Sequence, residues 1–381
     1  MNLQGSLSRF STRHAQAGFT LIELMVGLAI SMLATVVIIQ VISVFDAQRR
    51  TTTGSADAQS SGGIALHTIT REAQSAGYPL FPSFDSPMEC AALTFGDIGG
   101  AGTSGINTAG LNSIASVTLT DGVSSAGVSA SDTVTIRYGS SNMGGVPSII
   151  TSIDLPTKTA TIGSTLGCVS GDIALVSSSS SCAITKLTAV PSATTITLQN
   201  VTGAAAGANI ACLGAWNEIR YAANPTTGNL ERTSIINGAA PVVVPSAVGV
   251  VNIQAQYGIS NSPSSNDIIQ WVEPSGATWG ASATTPTVAN RKLIKAIRVA
   301  VVSRNDNRET ANVTAVCSST TGAAAAPAPE TTGLCAWTGS GTSNAPSIDL
   351  SQGDANWQRY RYRVFETIIP LRNVIWAKST L

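Results

Sequence analysis

From Leu24 to Phe45 the chain runs 22 residues without a charge. At about 1.5 Å per residue, a helix of that length covers the roughly 30 Å hydrocarbon core of a bilayer. The run can therefore span a membrane. A single acid, Glu23, stands at its edge. An intramembrane carboxylate is costly unless it finds a partner, so Glu23 marks a functional position and the partner has to be located.

The rest of the chain has a different character. Gly, Ser, Thr and Ala dominate it, and only 11% of all residues are charged. That composition favours a β-rich, loop-rich exterior domain over a helical cytosolic enzyme. The formal net charge is zero, with no Lys/Arg stripe, so nucleic acid is not an expected partner. Six cysteines, Cys90, Cys168, Cys182, Cys212, Cys317 and Cys335, all follow the apolar run, and none forms a CxxC pair. An even number at wide spacing suits disulfides better than zinc. Cys168 with Cys182 and Cys317 with Cys335 would close short loops and leave Cys90 with Cys212, one choice among the many that six cysteines allow. Oxidised cysteines place this domain outside the cytoplasm.

The first 18 residues, MNLQGSLSRFSTRHAQAG, carry Arg9 and Arg13 and no acid, as the basic part of a targeting signal does. Ala15, Ala17 and Gly18 precede the apolar run rather than follow it, so cleavage there leaves the helix in the mature protein. Arg49 and Arg50 offset the two leader arginines, and charge alone does not fix topology. The cysteines do: N-terminus in, C-terminus out.

Gly18 to Leu24, GFTLIEL, resembles the type III signal of type IV pilins and type II secretion pseudopilins. The resemblance implies a cut between Gly18 and Phe19 by a membrane prepilin peptidase, N-methylation of Phe19, and pairing of Glu23 with the positive α-amino group of Phe19 on a neighbouring subunit. Glu23 is then an assembly device, because in low dielectric such a pair is strong enough to set axial register.

A second set of segments narrows the class. SSGGIALHTITREAQSAGYPL after the apolar run, followed by Cys90, resembles PilW-type minor pilins, as does NWQRYRYRVFETIIPLRNVIW, Asn356 to Trp376. VNIQAQYGIS, Val251 to Ser260, and KLIKAIRVAVVSR, Lys292 to Arg304, match less specifically. Residues from about 91 to 245 match nothing. The implied fold is α+β, with a long N-terminal transmembrane-plus-stalk helix packed on an antiparallel β-rich globular head. The implied organisation is a cleaved leader over 1–18, a transmembrane half-helix over 19–45, an amphipathic stalk over 46–77 and a periplasmic head over 78–381. The implied partners are other minor pilins, the major pilin, a tip adhesin, the prepilin peptidase, the inner-membrane assembly platform and membrane lipid. The final place is the pilus tip at the cell surface, and no cofactor is implied.

Residue spacing supplies the detail. Ile64, Ile69, Ala73 and Ala76, with Leu66 at the edge, recur at helical intervals, with Arg71 and Glu72 facing solvent until Gly77-Tyr78-Pro79 stops the helix. Gly54, Gly62 and Gly63 each weaken that helix by up to about 1 kcal/mol and mark a bend or a melted turn. Alternating runs at SVTLT, DTVTIRY, DIALVS, TITLQ, NEIRYAA, 248–257, 292–303 and 360–369 predict strands. In the last run Tyr360, Tyr362, Val364 and Ile368 share one face and Arg361, Arg363, Phe365 and Ile369 the other. GGAGTSGINTAG, SSSSS at 177 and TTGAAAAPAPETTG at 320 predict surface loops.

Catalytic chemistry is thinly represented. The only histidines are His14 and His67, so the head lacks the residue that Ser-His and Cys-His mechanisms require. Gly100 to Gly105 fits GxGxxG but has no strand before it. SRNDNRE, Ser303 to Glu309, lacks EF-hand spacing and predicts a polar turn. The tryptophans are expected mainly as packing residues. These features point away from an enzyme, and the resemblance implies a minor pilin. The alternatives are a J-type pseudopilin of type II secretion or a pilin-anchored surface-binding module.

Overall fold

The computed structural model describes residues 19–79, 92–97, 115–122, 130–178, 181–237, 239–281, 286–315, 317, 333–337, 348, 350–351 and 354–376. The chain forms two compact units, Met1–Thr53 and Gly54–Leu381. Helix α1 (Leu21–Gln74) supplies the described part of the first and opens the second. In the first unit every large apolar side chain from Phe19 to Phe45 is exposed. Among the described residues α1 is the one helix long and apolar enough to cross a membrane. Its polar side chains turn back on their own helix: Ser31 Oγ donates to Leu28 O at 2.9 Å, Thr35 Oγ1 to Ser31 O at 2.7 Å and Ser43 Oγ to Gln40 O at 2.7 Å. Hydroxyls satisfied within the helix remove a cost of lying in lipid.

The second unit is built from strands. The first are β1 (Ala92–Asp97), β2 (Val117–Thr120) and β3 (Thr133–Tyr138). A group of six follows: β4 (Ser148–Asp154), β5 (Thr159–Ile162), β6 (Ile173–Ser178), β7 (Ser181–Ser192), β8 (Thr195–Leu198) and β9 (Asn209–Gly214). The remainder are β10 (Asn217–Asn224), β11 (Asn229–Ile236), β12 (Val242–Val248), β13 (Val250–Ile259), β14 (Gln270–Val272), β15 (Ile294–Arg304) and β16 (Tyr362–Pro370). Short helices α2 (Gly276–Trp279), α3 (Val288–Leu293) and α4 (Arg372–Trp376) complete the set.

Two antiparallel sheets, ordered β12-β11-β10-β3-β2 and β14-β13-β15-β16, share one core. Leu119, Val134, Ile136, Ile219 and Tyr221 from the first meet Ile253, Tyr257, Ile297, Val299 and Ile369 from the second, and Ala65, Ile69 and Ala73 of α1 lie among them. The Leu119 amide donates to Tyr257 Oη at 2.6 Å, which ties the two sheets with a buried bond. Ala300 and Val302 on the opposite face of the second sheet are covered by Leu334, Trp337, Ile348, Leu350 and Trp357. That covering segment is stapled by Cys317–Cys335, with Cα atoms 4.9 Å apart.

The third sheet is ordered β1-β7-β6-β9-β4-β5-β8, and β7 also pairs with β8. The six strands β4 to β9 therefore close into an antiparallel ring, with β1 added in parallel to β7. Inside the ring lie Ile150, Ile162, Val176, Leu187, Ile196, Leu198 and Ile210. The alternation in TATI and TITL explains this, since alanine and isoleucines point inward and threonines outward. Closure covers most strand edges, and the edge of β7 at Ser181–Thr185 that β8 does not reach is taken by β1.

Several sequence expectations need correction. Cys168 pairs with Cys212 rather than Cys182, because β9 brings Cys212 within 5.3 Å of Cys168, Cα to Cα. Cys182 is disulfide-bonded as well, and Cys90 lies outside the described residues. The glycines at 54, 62 and 63 do not melt α1, which is helical throughout. Ile64 is exposed and Ala65 takes the buried position. Ser177 and Ser178 belong to β6 rather than to a loop. Lys292 and Leu293 end α3, whose Thr287 side chain caps it, and the strand begins only at Ile294. Both faces of β16 carry packing: Tyr362 and Val364 lie against the covering cluster, and Ile369 enters the shared core while Ile368 stays exposed. Gly100 to Gly105 lies outside the described residues.

Candidate assembly site

Glu23 sits in the first turn of α1. Its Oε2 accepts from the Thr20 amide and from Thr20 Oγ1, both at 2.9 Å, while the Glu23 amide donates to Thr20 Oγ1 at 3.3 Å. This is a reciprocal capping box, T-x-x-E, in which N-cap and third helical residue satisfy each other's free amides. Sequence reasoning missed it, although TLIE carries the pattern. Thr20 supplies hydrogen bonds but no positive charge. The carboxylate is thus oriented at the helix start with its charge uncompensated by its own capping partner. Phe19 is exposed beside it, and Gly18 lies outside the described residues.

In the second unit, the buried line of α1 is Gly54, Ala58, Gly62, Ala65, Ile69 and Ala73, continued past its end by Ala76. Spacings of three and four place these residues on one face. Five of the first six steps along it use glycine or alanine, and the reason is close approach. A Cβ at Gly54 would lie 2.1 Å from Asn305 Nδ2, and one at Gly62 would lie 2.3 Å from the Phe365 ring. Ser303 Oγ donates to Ala58 O at 2.8 Å and Arg363 NH2 to Ser55 Oγ at 3.1 Å, so β15 and β16 grip this turn.

A polar clasp holds the far end of the same helix. Glu72 accepts from Arg232 of β11 at 2.9 Å and from Tyr138 of β3 at 2.7 Å. It does not face solvent as its position beside Arg71 suggested; burial and the Glu72 carboxylate both push the Tyr138 phenol above its ordinary value. Asn373 of α4 donates to Ala76 O at 3.0 Å, capping a carbonyl left free by the end of the helix. Gly77, at φ +79°, turns the chain away and donates to Arg137 O. His67 is exposed on the opposite side.

These contacts make Gly62 and Gly63 a matched pair of tests. Gly62→Ala is expected to destabilise the head by about 1–3 kcal/mol, because overpacking outweighs the gain in helix propensity. Gly63→Ala meets nothing within 4 Å and is expected to stabilise it by up to about 1 kcal/mol. Chemical denaturation of the purified chain checks both, and equal effects would contradict the close approach.

Two tryptophans mark a separate cluster. The Arg298 guanidinium lies between Trp271 and Trp337, at 5.0 and 4.2 Å from the ring centroids, and Arg298 Nε donates to Gln256 Oε1 at 2.7 Å. Burial pushes the Arg298 guanidinium down to about 10, partly offset by Glu273 and Glu366. The arrangement packs the covering segment onto the sheet. Trp216 and Trp357 are buried too. Among the described residues no group of His, Cys, Asp and Glu is arranged to hold a metal.

Residues 219–373 match the family described as Type IV Pilus-assembly protein W, PilW, and residues 13–39 match the prokaryotic N-terminal methylation motif. No curated protein matches. A solved structure of a type IV-like pilin from Thermus thermophilus is similar at 12% identity, covering 84% of this chain and 97% of that one, with a TM-score of 0.31.

Proposed function

We propose, from the premise that this chain is a type IV pilin of the PilW type, that it acts as a minor pilin in a tip or priming complex with other minor pilins and an adhesin. The observation that carries this reading is Glu23, oriented at the start of an exposed apolar helix by a partner that hydrogen-bonds it without neutralising it. A carboxylate in that state, at the depth of the bilayer, gains most from a cation brought by another chain. Phe19 of a neighbouring subunit, freed by cleavage after Gly18, supplies an α-amino group of the required charge. The apolar surface of α1 anchors the subunit in the inner membrane, the disulfide-bonded head lies in the periplasm, and the assembly platform extracts the subunit from the membrane into the fibre. The role is structural and the chain catalyses nothing.

Intact mass and the N-terminal peptide of the chain from its native membrane test the processing step. The expected mature chain begins with N-methylated Phe19, and Gly18→Trp is expected to leave the leader attached and the band slower on a gel. A wild-type chain beginning at Met1 would remove the leader, the freed amine and the proposed pairing together.

A further inference from the structure

The unmatched middle of the sequence has a topological signature. Strands β3 and β10 are antiparallel neighbours in the five-stranded sheet, and their register pairs Tyr138 directly with Asn217. The chain leaves the sheet after Tyr138 and returns at Asn217, at the same point. Everything between, residues 139–216, occupies the place of a hairpin loop. A two-residue turn would suffice there.

What fills that place has its own architecture. Strands β4 to β9 pair with one another, close into a ring, and join no strand of the other two sheets. The ring encloses its own apolar core, made only of side chains from within 139–216. Cys168–Cys212 staples it from inside, with both ends in the insertion. Only β1, added in parallel to β7, enters the sheet from outside. At the root, the Gly139 amide donates to Tyr78 O, and Tyr78 Oη donates to Ser141 O at 2.7 Å. The PilW match begins at residue 219, just past the end of the insertion.

We propose that residues 139–216 are an independent folding module inserted into the β3–β10 hairpin, so that the helix and the two-sheet body form without it. The inference stands on topology and packing and does not rest on the pilin reading. A closed sheet with a separate core opens as its own cooperative unit. Its displayed surface is then free to carry a contact of its own while the body keeps its packing against α1.

The test uses the full-length chain in detergent, followed by hydrogen exchange with mass spectrometry. Cys168→Ala/Cys212→Ala removes a staple across 44 residues. It is expected to speed exchange in β4–β9 by about 10²- to 10³-fold and leave β10–β16 unchanged. A common loss of protection in both regions would overturn the proposal. A second variant replaces residues 139–216 with Asn-Gly and carries Cys90→Ser, because the deletion removes three of six cysteines and leaves an odd number. It is expected to keep a cooperative thermal transition and the Cys317–Cys335 bond. A chain without such a transition would show that the body needs the ring, and would likewise overturn the proposal.

Discussion

Glu23→Ala is expected to leave leader cleavage and membrane insertion intact while lowering the chain's recovery in sheared pili by at least about tenfold. That factor corresponds to about 1.4 kcal/mol, well below the cost of leaving one partner of a low-dielectric ion pair without the other. The alanine variant alone has two readings, because Glu23 is also half of the capping box with Thr20. Glu23→Gln separates them. Glutamine serves in a capping box as glutamate does, so it keeps the helix start and removes only the charge. If charge pairing carries assembly, Glu23→Gln fails as fully as Glu23→Ala. Recovery of pili with Glu23→Gln would assign Glu23 to helix capping and sink the intersubunit pair.

The segments that carried a resemblance in the sequence turn out to be those that touch one another. The helix end at 60–79, Val251–Ser260, Lys292–Arg304 and Asn356–Trp376 become the buried end of α1, β13, β15 and β16, and these surround one core. Their constraints are mutual. Phe365 needs Gly62, Asn373 needs the carbonyl of Ala76, and Ser303 needs that of Ala58. The small-residue face of α1 was visible as glycines, but a glycine in a helix signals weakness unless the neighbour across it is known. Sequence spacing therefore read a packing device as a weak point.

In the middle of the chain the alternating runs DTVTIRY, DIALVS, TITLQ and NEIRYAA were legible and became β3, β6, β8 and β10, whereas the other strands of the ring were not. β4, β5 and β7 are cut by Ser, Thr and Pro, which leaves few apolar residues for a half-buried strand on a large core. A small closed ring needs only a few inward side chains per strand, so Ala160 and Ile162 suffice for β5. The same closure explains the failed cysteine pairing. Loop length favours Cys168 with Cys182, yet ring closure carries β9 to Cys168, and a contact set by strand order has no trace in linear spacing. The capping box was legible in TLIE and passed over because Glu23 was weighed only as a charge.

Glu218→Ala carries the largest expected cost in the head, about 3–5 kcal/mol by thermal or chemical denaturation. Glu218 accepts from Arg137 Nε at 2.9 Å, and both side chains are almost wholly buried, at 2% and 3% exposure. Arg137 NH1 also donates to Thr118 Oγ1 at 2.8 Å, linking β2, β3 and β10. Truncating Glu218 strands a guanidinium in a dry interior, and desolvation of that lone charge dominates the loss. Arg137→Met/Glu218→Leu removes both charges and is expected to recover most of the stability, since an apolar pair of similar volume often matches a buried ion pair. A single variant that costs less than about 1 kcal/mol would mean that water reaches Arg137. The position matters beyond stability: Arg137 and Glu218 are register partners, adjacent to the Tyr138–Asn217 pair from which the closed ring departs. A one-residue slip would turn every side chain of β3 and β10 to the opposite face and carry the ring's root with it. The double variant keeps the burial but gives up the directional bond, so its hydrogen-exchange protection at Tyr138 and Asn217 measures how much of the hairpin register the ion pair sets.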